Sequence, residues 1–324
     1  MSGVFDALSP ETVLQAVEMA FGLAPDGSLF PYSSYVNRVY GFGDESGNSY
    51  VVKFYRPNRW TPEAILEEHR FLKDCAEAEL PVVAPLPDLW GETLPAIELE
   101  DGSTLFNFAL FPKRGGRNFE PTSDEDWLRL GSLTGRLHAV GARRPALARS
   151  RLGPELAKAN LGTLQNLIHP EFTQDFTKLC ASLIDSTAQE VSSIPAQRIH
   201  GDLHRGNILE RPGEGLAILD FDDMVLGPPI QDLWLLLPGD AAESAKELSL
   251  LIEGYSEFLS LAPGSVALIE TLRFYRMLHF LAWRSLQRGD AWFAKDFPDW
   301  GGRAFWLREL EDFRRQAEAI SAAN

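Results

Sequence analysis

The segment that most constrains this chain is residues 198–223, which read RIHGDLHRGNILERPGEGLAILDFDD. It contains two short apolar runs on either side of a Pro-Gly turn, a pattern that predicts a β-hairpin. The first run follows Asn207 and the second ends at Asp220. A hairpin would therefore bring the side chain of Asp220 back beside that of Asn207.

Two oxygen ligands placed side by side in this way favour the binding of a divalent cation beside a phosphate chain. Magnesium prefers hard oxygen ligands and keeps several waters, so we expect Asn207 and Asp220 to suffice as its protein ligands. Asp220 would also be catalytic, because the cation neutralises the transferring phosphoryl group. Four residues separate Asp202 from Asn207, as in the catalytic loop of protein kinases. Asp202 is accordingly predicted to accept the proton of the attacking hydroxyl.

A metal-hydrolase cluster is a second interpretation of the same segment. His200, Asp202 and His204 alternate, as residues on one face of a strand do. The chain has 6 His, and no further His lies nearby in sequence. A closed metal site would need another ligand, so this interpretation is the weaker one.

A second group of candidate residues lies in the N-terminal third. Lys53 lies within the apolar pattern YVVKFY, where an ammonium group is costly to bury unless it meets an anion. We predict that it contacts nucleotide phosphates, although strand alternation could instead place it in water. The following helix offers Glu67 and Glu68 as its partner. We prefer Glu68 because Phe71 and Leu72 turn that side of the helix toward the sheet.

The patterns along the chain predict an α+β fold of two lobes. Residues 1–112 combine a helix at 9–21 capped by Ser9, strands at 30–40 and 49–55, a helix from 62 opened by Thr61, and a strand pair at 97–99 and 104–111 around a turn at 101–102. Residues 113–324 are mostly helical, with helical patterns near 125–138, 172–191, 243–261, 268–288 and 305–320. We place the boundary between the lobes at the turn-rich segment after Pro112.

Composition narrows the expected partners and location. The chain has 46 acidic and 30 basic residues and a formal charge of −16, which disfavours binding to nucleic acid or anionic membranes. We find neither a signal peptide nor an apolar run of the roughly 18 residues that a membrane helix requires. We therefore expect a cytoplasmic protein, and we take it to be a monomer.

The motifs HGDLHRGNIL, ILDFDD and DLW resemble the aminoglycoside phosphotransferase and choline-kinase-like family, distant relatives of protein kinases. Together with SSYVNRVYGF, VVKFYRPNRWT, ILEEH and GPPIQDLWLLL, they make residues 33–237 similar to bacterial stress-response serine/threonine kinases of that fold. The resemblance implies a bilobal protein-kinase-like fold. It also implies ATP- and Mg²⁺-dependent phosphorylation of Ser or Thr in protein substrates, including the protein itself.

The resemblance also implies roles for particular residues. It makes Asp202 the proton acceptor, and Asn207 and Asp220 the magnesium ligands. Ser34 would contact ATP from the loop that covers the nucleotide. Asp232 would brace the backbone of the catalytic loop, which is a structural role.

Three departures from protein kinases bear on regulation. Residues 32–37 read YSSYVN in place of G-x-G-x-x-G, so hydroxyls and backbone amides must hold the phosphates. Gly201 replaces the arginine that would contact a phosphorylated loop. Eleven residues separate Asp220 from Asp232, too few for a long activation segment. We hypothesise that the site is constitutively assembled and is not switched by phosphorylation of such a segment.

The short segment also leaves a second function open, because long activation segments commonly support peptide substrates. A small-molecule kinase is therefore the alternative, since fold alone does not fix function. Acidic side chains around the cleft of the C-terminal lobe would favour a cationic acceptor such as an aminoglycoside. An inactive nucleotide-binding module is disfavoured, because Lys53, Asp202, Asn207 and Asp220 are all present.

Overall fold

The computed structural model describes residues 4–6, 8–34, 36–99, 104–211, 213–290 and 292–323. Its N-terminal part is a five-stranded antiparallel sheet with two helices, and its C-terminal part is mostly helical. The elements of the N-terminal part are α1 (Pro10–Phe21), β1 (Phe30–Tyr32), β2 (Arg38–Gly43), β3 (Ser49–Phe54), α2 (Pro62–Glu77), β4 (Ala96–Glu98) and β5 (Leu105–Pro112). The observed order of elements agrees with the predicted α+β arrangement.

The sheet has the strand order β1-β2-β3-β5-β4. The single strand predicted at 30–40 is wrong, because the chain reverses within it: β1 pairs antiparallel with β2, and Tyr32 lies opposite Val39. Residues 33–37, here called the nucleotide loop, connect the two strands, and Tyr35 lies outside the described residues. The turn predicted at 101–102 also lies outside them.

Both N-terminal helices begin at the predicted caps. The Ser9 hydroxyl accepts a hydrogen bond from the Thr12 N–H at 3.2 Å, and Pro10 occupies the first position of α1. Thr61 caps α2 in the same way, through the N–H of Ala64 at 3.3 Å. Side-chain caps of this kind satisfy backbone donors that have no partner within the helix.

Strand alternation gives the sheet two different faces. Val52 and Phe54 are fully buried with Val17 of α1 in an apolar cluster. Lys53 and Val51 point to the opposite face, where they line a cleft. The alternative of a solvent-exposed lysine is wrong, because Lys53 is 9% exposed.

The C-terminal part contains eight helices among the described residues. They are α3 (Asp124–Gly141), α4 (Pro154–Leu164), α5 (Thr173–Ser193), α6 (Ile230–Trp234), α7 (Ala245–Tyr255), α8 (Ile269–Leu286), α9 (Phe293–Asp296) and α10 (Arg303–Ala323). Helices α3 and α7 lie so close that a Cβ on Gly131 would come within 2.1 Å of the Leu251 carbonyl oxygen. Glycine is therefore required at that crossing.

Short strands place the central segment between the sheet and the helices. They are β6 (Arg117–Asn118), β7 (Gln197–Ile199), β8 (Ile208–Arg211), β9 (Gly215–Ile218) and β10 (Val225–Gly227). The predicted hairpin is present as β8 and β9, and β6 pairs with β8. The Ile218 N–H also bonds the carbonyl of Pro81 at 2.9 Å, joining the hairpin to the chain that follows α2. Within the described part of the chain, no helix is long and apolar enough to cross a membrane.

Candidate active site

A cleft of about 650 Å³ lies between the five-stranded sheet and the central hairpin. Its apolar walls include Val39 and Val51 from the sheet and Leu209 and Ile218 from the hairpin. Ser34, Lys53, Glu68, Asp202 and Asp220 also line it. The structure therefore brings together the residues that were predicted from separate parts of the sequence.

The hairpin brings Asp220 back to Asn207 as predicted. The N–H of Leu219 donates to the carbonyl of Asn207 at 2.9 Å, so Asp220 follows directly after this contact. The Asn207 amide nitrogen donates to the Asp202 carbonyl at 2.9 Å. That bond leaves the amide oxygen of Asn207 available as a ligand. The side chain of Asp220 is 61% exposed, and its carboxylate is therefore accessible from the cleft.

Asp232 holds the backbone of the catalytic loop, residues 200–207, as the resemblance implied. Its carboxylate accepts the N–H of His200 at 2.7 Å and the N–H of Gly201 at 2.9 Å. It also accepts Nε2–H of His138 at 2.9 Å, and the side chains of both residues are buried. The His138 ring also packs against Tyr255 of α7, in a helix interface behind this loop.

The glycine at position 201 has a steric reason. Its φ is +84°, and a Cβ would come within 2.2 Å of the Asp223 carbonyl oxygen. The catalytic loop therefore passes directly against residues 220–223, here called the acidic loop. The arginine of the protein-kinase pattern has no space at this position.

Lys53 lies among three carboxylates. Its Nζ is 3.0 Å from Asp222 Oδ1, 3.6 Å from Glu68 Oε1 and 3.8 Å from Asp220 Oδ1. Burial by itself lowers the pKa of Lys53, but Asp222 and Glu68 outweigh it, so the pKa lies well above its ordinary value. Lys53 is therefore a fixed cation at the side of the cleft.

The two candidate glutamates have different partners. Glu68 pairs with Lys53, as preferred from the helical pattern. Glu67 is buried and accepts the N–H groups of Leu147 and Ala148 at 2.6 and 3.0 Å. It therefore fixes the segment that follows α3 to helix α2.

Arg149, in that segment, is a site residue that the sequence analysis missed. Its buried guanidinium donates to Glu68 Oε2 at 2.9 Å, and to the carbonyls of Ala64 and Asp222 at 2.8 Å. Arg149 therefore connects helix α2, which carries Glu68, to the acidic loop. Neither a motif nor a local periodicity marks it in the sequence.

Asp222, which replaces the glycine of a DFG motif, is buried between two cations. It contacts Lys53 and Arg59, and the second nitrogen of Arg59 lies 2.5 Å from Asp223. Burial by itself raises the pKa of Asp222, but Arg59 and Lys53 overcome it and the pKa falls below the ordinary value. Asp222 therefore stays ionised and ties the acidic loop to the N-terminal part.

Arg56 anchors the nucleotide loop. The hydroxyl of Ser34 accepts the N–H of Asn37 at 3.3 Å, and the Asn37 side-chain oxygen accepts the N–H of Arg56 at 3.0 Å. Arg56 Nε donates to the Val36 carbonyl at 3.0 Å, while its Nη2 lies 2.6 Å from Asp290 Oδ2. Ser34 is thus held at the cleft by a chain of contacts that extends to the C-terminal part.

Asp202, the predicted base, has a partner that was not anticipated. Arg276 of α8 donates from Nη2 to Asp202 Oδ1 at 2.6 Å. The other oxygen, Oδ2, lies 3.8 Å from Nε2 of His204. Phe280 and Trp283 of the same helix also line the cleft.

The alternative of a metal-hydrolase cluster fails on geometry. His200 is buried, its Nε2 donates to the Leu219 carbonyl at 2.8 Å, and its Nδ1 accepts the N–H of Asp202 at 3.3 Å. Both ring nitrogens of His200 are therefore occupied by backbone groups. Among the residues that the structure describes, no three His, Cys, Asp or Glu side chains are grouped to hold a metal ion.

Comparison with known proteins places this architecture in a family. Residues 30–275 match the sequence profile of the phosphotransferase enzyme family. Stress response kinase A from Escherichia coli is 37% identical over 98% of this chain and 94% of its own length. A protein from Salmonella typhimurium named serine/threonine protein kinase RdoA is 36% identical over the same fractions.

Solved structures share the fold at lower identity. Amicoumacin kinase in complex with AMP-PNP, Ca²⁺ and Ami superposes with a TM-score of 0.74 at 19% identity, over 94% of this chain and 93% of that one. Spectinomycin phosphotransferase with ADP and spectinomycin gives 0.65 at 15% identity, over 97% and 98%. The predicted kinase-like fold is thereby confirmed. The chain belongs to the phosphotransferase enzyme family and is a kinase.

Proposed function

We propose that this chain is an ATP- and Mg²⁺-dependent serine/threonine protein kinase. The observation that carries the proposal is the convergence of Lys53, Asp202 and Asp220 on one cleft, with Asn207 bonded to the Asp202 carbonyl beside it. It occurs in a chain that is similar over nearly its whole length to proteins named stress response kinase and serine/threonine protein kinase. By analogy with them, we propose that its substrates are proteins, including itself, and that it acts in stress response.

The residues of the cleft suit a nucleotide with a divalent metal. The apolar walls fit a base, Lys53 offers a fixed cation to the α- and β-phosphates, and Ser34 offers a hydroxyl from the nucleotide loop. The exposed carboxylate of Asp220 and the amide oxygen of Asn207 are hard ligands of the kind that Mg²⁺ prefers. When bound, the metal would neutralise negative charge on the transferring phosphoryl group. Glu68 would act indirectly, by holding Lys53 in place.

Asp202 would perform the proton transfer. Its Oδ1 is held by Arg276 at 2.6 Å, which leaves Oδ2 to accept the hydrogen of an acceptor hydroxyl. The bonds from His200 and Gly201 to Asp232 fix the backbone that carries it. A base fixed in this way orients the hydroxyl toward the phosphoryl group and takes its proton as the new bond forms.

We also propose that the site is permanently assembled. The acidic loop leads through β10 directly into α6, and its position is fixed by Lys53, Arg59 and Arg149. These contacts require no phosphorylated residue. Treatment with a phosphatase should leave the initial rate unchanged, and loss of the rate would reject this part of the proposal.

A small-molecule kinase is the second candidate. The short connection from Asp220 to α6 favours this candidate. Among the described residues, this connection contains no extended activation segment on which a peptide substrate could bind. The solved structures of amicoumacin kinase and spectinomycin phosphotransferase share only the fold with this chain. The acceptor must therefore be decided by experiment.

The deciding experiment follows label from γ-labelled ATP in the presence of Mg²⁺. Purified protein would be incubated alone, with a generic basic protein, and with a pool of metabolites and aminoglycosides, beside Asp202→Ala. We expect label on Ser or Thr of protein with the natural sequence and none with the variant. Label found only in small molecules would replace the proposal with the second candidate.

A further inference from the structure

One face of α8 forms the side of the cleft next to Asp202. Arg276, His279, Phe280 and Trp283 line the cleft, and their spacing of three, four and seven residues places them on one side of the helix. Phe280 and Trp283 stack at 5.3 Å, and Phe280 is 43% exposed. Because Asp202 is the proposed base, this face is where the acceptor would lie.

The charges around the cleft do not suit a cationic acceptor. Every carboxylate that lines it, among the described residues, forms an ion pair with a cation of the protein. The pairs are Glu68 with Arg149, Asp202 with Arg276, Asp220 and Asp222 with Lys53, and Asp223 with Arg59. An aminoglycoside or a basic peptide would have to compete with these cations for each carboxylate.

Arg276 is the cation that this face presents to an acceptor. Its side chain is 31% exposed, and its described hydrogen bond is the one to Asp202. Burial lowers the pKa of His279, so that imidazole is neutral near pH 7. A guanidinium has several N–H donors in a planar fork that matches carboxylates and phosphates, so one bond to Asp202 leaves others to use.

We propose that Arg276 recognises an anionic group beside the acceptor hydroxyl, so that the favoured acceptor is a Ser or Thr flanked by Asp or Glu. This inference rests on the proposed protein-kinase function and specifies its substrate. As the hydroxyl bonds Asp202, the adjacent guanidinium is within reach of a carboxylate one or two residues away. The stacked Phe280 and Trp283 supply apolar surface for the rest of the peptide.

The test compares peptides of one sequence that carry Glu, Gln or Lys on both sides of the serine. The ratio of kcat/KM for the Glu peptide to that for the Gln peptide is measured in the natural sequence, Arg276→Gln and Arg276→Lys. We expect a ratio of about 10 to 100, which corresponds to the free energy of a charge-assisted hydrogen bond. The kcat/KM for the Lys peptide should be lower than that for either of the other two. Arg276→Gln should bring the ratio near one, and Arg276→Lys should restore part of it.

Arg314→Gln is the matched control, because Arg314 of α10 forms an exposed pair with Asp175 of α5 at 3.1 Å. It should keep the ratio of the natural sequence. If Arg276 only positions Asp202, Arg276→Gln will slow all three peptides equally and leave the ratio unchanged, which would overturn the inference. A preference for the Gln or Lys peptide in the natural sequence would overturn it too.

Failure of the proposed function gives a different result. The chain would then bind ATP, measured by titration, yet transfer phosphate to none of the peptides and to no protein. That outcome would reject protein substrates and this inference together. Transfer without acidic preference would reject the inference alone.

Discussion

Asp220 and Asp222 lie two residues apart in the acidic loop and are held in opposite ways. The side chain of Asp222 is 6% exposed and lies between Lys53 and Arg59, whereas that of Asp220 is 61% exposed with Lys53 at 3.8 Å. Burying a carboxylate is costly unless cations and hydrogen bonds compensate, so Asp222 cannot readily change partners. Asp220 can change partners, because its side chain is mostly exposed. The buried carboxylates therefore hold the site together, and the exposed ones are available for ligands and chemistry.

The largest effect on activity should come from replacing Asp220, the exposed residue of this pair. Asp220→Ala should reduce phosphoryl transfer about a thousandfold or more, because it removes the proposed metal ligand at the point where charge would develop. The free energy of unfolding should change little, since the side chain is mostly exposed. Single-turnover rates and urea unfolding would measure the two quantities.

Glu214→Ala is the control for Asp220→Ala, because Glu214 is an exposed residue of the hairpin turn that pairs with Arg211. It should alter neither rate nor stability. A rate within tenfold of the natural sequence for Asp220→Ala would break the comparison, as would a large loss of stability.

The buried contacts of Arg149 should show the reverse pattern, in which the free energy of unfolding changes strongly. Arg149→Met should lower the free energy of unfolding by about 3–5 kcal/mol, because it leaves the buried Glu68 carboxylate without one of its cations. Urea unfolding would measure the loss. The double variant Arg149→Met/Glu68→Leu should recover part of it, since the unpaired charge is then removed. A loss below about 1 kcal/mol would show that the network is not structural.

Glu309 of α10 sharpens the comparison, because it is a half-buried carboxylate that forms no hydrogen bond or ion pair among the described residues. Burial raises its pKa from 4.5 to about 6, against the attraction of Arg284. The folded state then binds more protons than the unfolded state between these values, so stability falls as pH rises through about 6. The decrease should be about 1–2 kcal/mol.

Thermal or urea unfolding from pH 4 to pH 8, compared between the natural sequence and Glu309→Gln, would measure this decrease. The difference in unfolding free energy between the two should change across that window, with the variant gaining relative stability as pH rises. A constant difference would mean that Glu309 titrates normally. Asp222, whose pKa is lowered, should show no such loss toward high pH.

The smallest effect is expected at the half-buried pair of Arg56 and Asp290. Arg56→Gln should raise KM for ATP about fivefold, the equivalent of about 1 kcal/mol, because the nucleotide loop loses its anchor to the C-terminal part. Initial rates at varied ATP would measure it. Asp290→Asn should give a similar increase, and an unchanged KM in both variants would show that the anchor has no part in nucleotide binding.

Local sequence signals predicted much of the fold and the centre of the site. Ser9 and Thr61 are caps because a hydroxyl beside the first turn satisfies a nearby backbone donor. The turn after Asn207 fixed the return of the chain to Asp220, and helical spacing selected Glu68. Each of these inferences used residues within about twenty positions of one another, where backbone geometry restricts the outcome.

The missed features depend on contacts across long separations. Arg149 is 81 residues from Glu68, and Arg276 is 74 residues from Asp202. An arginine without a surrounding motif gives no sign of which carboxylate it will meet. The reversal at residues 33–37 was missed for another reason, because apolar and aromatic residues continue on both sides of it and conceal the turn.

The central claim is that Asp202 performs chemistry in a site that other residues assemble. It is tested most directly by measuring single-turnover transfer and ATP affinity in the same samples of Asp202→Asn and of the natural sequence. We predict that transfer falls about 10²- to 10⁴-fold, as for loss of a general base, while affinity changes less than about threefold. Transfer at the natural rate, or a loss of affinity as large as the loss of rate, would contradict the account.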